Sequence, residues 1–121
     1  MIIALFALFS VLTVNAQQPA KVLRHVVMFK FKDQSTPAQV KVVVDAFRAL
    51  KGKIGLIKDF EWGMNNSPEK INQGLTHCFL ATFASEKDRD DYLVHPDHKA
   101  FTVIAGPHID KVTVVDYWVE K

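Results

Sequence analysis

The chain is 121 residues long, 49% hydrophobic, and carries 15 Lys and Arg against 13 Asp and Glu, a formal net charge of +2. That is the length of one domain, with enough Val, Ile, Leu and Phe for a core without metal or disulfide staples. The single cysteine, Cys78, excludes an intramolecular disulfide, and interspersed charges leave no basic footprint for nucleic acid.

In chain order, residues 1–16 read as a cleaved export signal. Ile2 to Leu12 is almost wholly apolar, and Val14-Asn15-Ala16 supplies the small residues that signal peptidase prefers. The run is shorter than the roughly 20 residues of a spanning helix, so no stable membrane insertion is expected after cleavage. The mature domain is then 17–121, in a periplasm or outside the cell.

Val22 to Lys32 alternates as a strand, with His25, Val27, Phe29 and Phe31 on its richer face. Thr36-Pro37-Ala38-Gln39 combines an N-cap, proline at the first helical position and glutamine three residues after the cap. The helix it starts buries Val40, Val43, Val44, Phe47 and Leu50, with Gly52 expected as a left-handed cap. Leu56 to Gly63 reads as an edge strand carrying Phe60 and Trp62 on one side. A polar loop leads to a third strand, Leu75 to Phe83, where His77, Phe79, Ala81 and Phe83 share a face and Cys78 takes the other. Ser85 caps a second helix that places Tyr92 and His95 on one side and ends at Pro96. A short helix resumes from Asp97 to Ala105 with Phe101 and Ile104 inward, and Gly106-Pro107 precedes a last strand, Ile109 to Val119.

The order strand, helix, strand, strand, helix, strand predicts an α+β, ferredoxin-like fold with an antiparallel sheet and helices on one face. The other face, carrying Val26, Met28, Cys78, Leu80 and Val115, needs cover, most simply from a second copy of the chain.

His25-Val26-Val27-Met28-Phe29-Lys30-Phe31-Lys32, Trp62-Gly63, Gly74-Leu75-Thr76-His77, and Tyr92-Leu93-Val94-His95-Pro96-Asp97-His98 followed by Phe101 resemble the stress-responsive dimeric α/β-barrel domain family over about Val22 to Trp118. The resemblance implies a homodimer packed sheet to sheet and a pocket between sheet and helices. It also implies roles, by similarity to a plant polyketide cyclase of the family that uses neither metal nor organic cofactor. Tyr92 and His98 match its catalytic pair, and His25 and His77 match its other pocket histidines.

Chemically, His98 is then the candidate base and Tyr92 the candidate acid, donating to a carbonyl or enolate oxygen. His25 and His77 would orient a small apolar carbonyl or aromatic ligand against Val27, Phe29, Phe47, Phe79 and Phe101. Bland readings stand beside these: His25 and His77 as satisfied polar residues under the helices, Phe47 and Phe101 as core, His95 as a helix-end cap, His108 as solvated. His95-x-x-His98 with Asp97 offers ligands for zinc or iron, but Pro96 separates the two rings, and no metal is expected. Three functions fit: cofactor-free acid/base chemistry on a carbonyl compound, a non-catalytic ligand-binding or stress-related oligomer, and a cofactor-independent monooxygenase. Export weakens thioester chemistry, because coenzyme A thioesters are cytoplasmic. A cavity open beside Tyr92 and His98 favours the enzyme, and a sealed one favours the non-catalytic role.

Overall fold

The strict alternation at 23–31 makes this segment one of the two inner strands of the sheet. The computed structural model describes residues 9–13 and 21–121, so most of the expected export signal, 1–8 and 14–16, lies outside the described residues. The elements are β1 (Leu23–Phe31), α1 (Pro37–Lys53), β2 (Asp59–Met64), β3 (His77–Phe83), α2 (Glu86–Leu93), α3 (Pro96–Ala105), a 3₁₀ turn (Gly106–His108) and β4 (Ile109–Trp118). All three strand pairings are antiparallel, in the order β2-β3-β1-β4. This is the expected ferredoxin-like arrangement, with β2 at an edge.

Leu23, His25, Val27 and Phe29 point to the helices and are buried, as are His77, Phe79, Ala81 and Phe83 of β3. The helices hold positions that their local sequence dictates. Thr36 accepts from the Gln39 backbone N–H at 3.2 Å while the Gln39 side chain accepts from the Thr36 N–H at 2.9 Å, a closed capping box. Val43, Val44, Phe47 and Leu50 are buried along one stripe of α1. Phe47 is the centre of the core: its ring lies 4.5 Å from Phe79, 4.4 Å from Phe101 and 5.3 Å from Phe60, centroid to centroid.

Four local expectations are corrected. Gly52 does not end α1 as a left-handed cap; the helix continues to Lys53 and the Ile54 N–H closes it on the Leu50 carbonyl at 2.9 Å. Strand β2 starts at Asp59 rather than Leu56, because Ile54 to Ile57 forms a turn that buries both isoleucines. Ile104 faces solvent; in α3 it is Phe101 and Ala105, one turn apart, that face inward. His108 is half-buried rather than solvated, its Nδ1 3.0 Å from the Ser35 hydroxyl.

Candidate active site

Tyr92 and His98 come from two helices that meet at Val94 and His95. Helix α2 ends at Leu93, so Tyr92 and His95 do not share a helix face. His95 instead caps α3, its Nδ1 accepting from the Asp97 backbone N–H at 3.1 Å, with Pro96 at the first helical position. This redirection brings His98, not His95, against Tyr92, with ring centroids 4.5 Å apart.

The two groups are differently exposed. Tyr92 is fully buried, 0% exposed, and its hydroxyl finds no hydrogen-bond partner among the described residues. Burial raises its pKa far above the ordinary tyrosine value, so the phenol keeps its proton. His98 is half-buried. Its Nδ1 lies 3.1 Å from the Leu93 carbonyl, which only accepts, so Nδ1 carries the hydrogen and Nε2 of the neutral ring keeps its lone pair. Burial holds the His98 pKa below the usual histidine value and outweighs the opposing pull of the Leu93 carbonyl; His25 and His95 add to the lowering. A protonated phenol thus faces a neutral imidazole, the protonation states that an acid and a base require.

His25 joins this pair, and His77 does not. The His25 ring is edge-on to Tyr92 at 5.9 Å and to Phe83 at 6.2 Å, and it is 4% exposed. His77 pairs with Phe29, four residues along the strand from the His25–Ala81 pair, about 13 Å away at strand spacing. It packs edge-on to Phe31 at 4.9 Å and parallel to Trp62 at 6.1 Å, and its Nδ1 is 2.9 Å from the Thr76 hydroxyl. His77 lines a separate hollow of about 530 Å³ under the 64–76 loop, with Met28, Met64, Asn65, Ile71 and Leu75. Burial lowers its pKa as well.

Val27, Phe29, Phe47, Phe79 and Phe101, expected as a ligand wall, are buried and pack mainly on one another. On the Tyr92 side the site is therefore closed, as the non-catalytic reading expects, while His98 reaches solvent. Among the described residues no three His, Cys, Asp or Glu side chains converge as a metal site would need.

Two residues escaped the reading of the sequence. Asp116, opposite His25 in the β1–β4 register, holds His25 Nδ1 at 2.7 Å through Oδ1, and Arg89 of α2 donates to Asp116 Oδ2 at 3.0 Å. The available signal was a lone carboxylate in the run Val112-Thr113-Val114-Val115-Asp116, in phase with the helix-side face.

The stress responsive A/B barrel domain model matches residues 23–119. The chain belongs to that family. Among its relatives is the stress-response A/B barrel domain-containing protein HS1 of Arabidopsis thaliana, 36% identical over 78% of this chain and 87% of the relative. Another is the olivetolic acid cyclase of Cannabis sativa, 30% identical over 82% of this chain and 98% of the cyclase. Among solved structures, the hydroxynitrile lyase of Passiflora edulis superimposes with a TM-score of 0.79 at 25% identity, covering 85% of this chain and 97% of the lyase. A protein of unknown function from Bacteroides fragilis, described as dimeric and ferredoxin-like, gives a TM-score of 0.66 at 27% identity over 81% and 96%. Proteins named as enzymes and a protein named only for its domain are thus both similar to this chain.

Proposed function

We propose that this family member is an exported homodimer that performs acid/base chemistry on a small free carbonyl compound, with His98 as base and Tyr92 as acid and no organic cofactor. The observation that carries the reading is the buried Tyr92 hydroxyl, without a hydrogen-bond partner among the described residues and packed against a neutral His98 whose Nε2 keeps its lone pair. In the step proposed, the substrate enters past the half-buried His98 and displaces the packing that closes the Tyr92 side. His98 Nε2 takes a proton from the carbon beside the carbonyl, the C–H electron pair moves into a C=C bond, and the carbonyl oxygen becomes an enolate oxygen that accepts from the Tyr92 O–H. The proton returns from His98 to carbon, or, as in a cyclisation, the enolate carbon attacks a second carbonyl whose C=O π pair moves onto oxygen and takes the proton held by His98. The names of the cyclase and the hydroxynitrile lyase support small-molecule chemistry on this fold.

The test is deuterium exchange beside the carbonyl, followed by NMR, across a panel of methyl ketones, β-diketones and aryl ketones. Exchange above the buffer rate that falls about 100-fold or more in His98→Ala and in Tyr92→Phe is expected. Exchange at the buffer rate throughout, or equal rates in His98→Ala, sinks the reading. Export is tested separately: N-terminal sequencing of the protein secreted by its own host should begin at Gln17, and a chain retained whole in the cytoplasm overturns that part.

The closed side of the site favours a second reading, a ligand-binding oligomer without turnover. It predicts panel compounds that shift His98 resonances yet exchange no faster than in buffer.

A further inference from the structure

The site described so far leaves one arrangement without a role: a buried imidazole beside Tyr92 is tied, through a carboxylate, to a guanidinium at the rim. Asp116 has one partner on each oxygen, His25 Nδ1 at 2.7 Å and Arg89 Nη1 at 3.0 Å. The side chains of Arg89 and Asp116 are 20% and 21% exposed, and that of His25 is 5% exposed. Arg89 is itself held at the other side, its Nε donating to Asp90 at 3.0 Å. From rim to interior the order is Asp90, Arg89, Asp116, His25, Tyr92.

We propose that Arg89 is a positioning residue which, by pinning the Asp116 carboxylate, fixes His25 as the Nδ1–H tautomer and so presents its Nε2 as a second proton acceptor in the Tyr92–His98 site. The physical case is one of orientation. A carboxylate at a half-open rim can rotate towards water, and one whose second oxygen is held by an arginine cannot do so without breaking a charge-assisted bond. Which nitrogen of a neutral imidazole carries the hydrogen is set by the partner of the other nitrogen, and Asp116 accepts at Nδ1. Arg89 is not needed merely to fasten α2 to β4, since Trp118 Nε1 also donates to Glu86 Oε1 across that seam, at 3.4 Å. The consequence is a site with two acceptors, His25 Nε2 and His98 Nε2, around one donor, the Tyr92 hydroxyl. Such a set allows a proton to be taken at one atom and returned at another.

The inference rests on the acid/base reading, but its test needs no substrate. In the full chain labelled with ¹⁵N-histidine at about pH 8.5, roughly two units above the reference histidine value, long-range ¹H–¹⁵N spectra separate the two tautomers of His25. The wild type should show the Nδ1–H form predominating. Arg89→Gln should lower the Nδ1–H to Nε2–H ratio about tenfold, the scale of one weakened charge-assisted bond, and Arg89→Lys should restore most of it. An unchanged ratio in Arg89→Gln overturns the proposal and leaves Arg89 as a strap between α2 and β4, even if the melting temperature drops. A ratio as low in Arg89→Lys as in Arg89→Gln overturns it too. A failed exchange panel with the tautomer result standing sinks the reaction but not the tie; the converse result sinks the tie alone.

Discussion

The Tyr92 hydroxyl is buried with no partner among the described residues, and such a group costs its fold about 1–3 kcal/mol of lost hydration. Tyr92→Phe removes that cost without changing the ring, so the variant should be more stable by about 1 kcal/mol, roughly 4 °C in melting temperature. A lower melting temperature would mean that the hydroxyl does bond within the protein. The histidines shape the acid limb of stability. His77 and His98 both have pKa values lowered by burial, so the unfolded chain takes up their protons first. Their contribution is present above about pH 6.5 and is lost as pH falls through the lower folded values. Tyr92 acts at the opposite end. Its folded pKa is raised, so its contribution is full below about pH 10 and is lost as pH rises beyond that. Urea midpoints measured across pH should therefore fall on both sides, and Tyr92→Phe should flatten the alkaline limb. An alkaline limb identical in the two proteins would contradict the burial of the phenol.

At the scale of elements, α1 shows which forces dominate. Its capping box closes on two side-chain-to-backbone hydrogen bonds, whereas Phe47 touches four other aromatic rings. Thr36→Ala should cost about 1 kcal/mol and Phe47→Ala about 3–5 kcal/mol in denaturant unfolding; similar losses would mean that the cavity at 47 collapses almost completely. The same contrast explains what was legible in the sequence. The box, the Ser85 cap and the Pro96 break are written within four residues, and all are present. Gly52 was misread because its left-handed preference is weak beside the burial of Ile54 and Ile57 just after it. The local pattern puts Tyr92 beside His95, and His98 enters as its partner only through the family resemblance; the break at Pro96 is what turns His98 onto Tyr92. Asp116 and Arg89 were not legible: one depends on the register of β4 beside β1, the other on where α2 lands, and neither is encoded locally.

For the whole molecule, the sheet has one face under helices and one bare. Val115 and Tyr117 are about half exposed on the bare face, beside Val26, Met28, Cys78 and Leu80. A hollow of about 300 Å³ there is lined by Val26, Glu61, Gly63, Cys78, Leu80 and Tyr117. An apolar face of this kind is unusual on a monomer and fits the dimer proposed. Leu80→Lys, on the central strand β3, should yield monomers in analytical ultracentrifugation. Wild-type melting temperature should rise with protein concentration and that of the variant should not. A wild type that sediments as a monomer at every concentration would exclude the sheet-to-sheet dimer.

The unpartnered phenol also has a consequence over evolutionary time. A hydroxyl that weakens its own fold is retained only while something selects for it, since a single change to phenylalanine would relieve the cost. Lineages that abandoned the chemistry should therefore have drifted to Phe at the position of Tyr92, and those that kept it should hold Tyr. Under the acid/base reading proposed above, the identity of that one residue becomes a marker, readable from sequence, that sorts members using the phenol from those that keep only the scaffold.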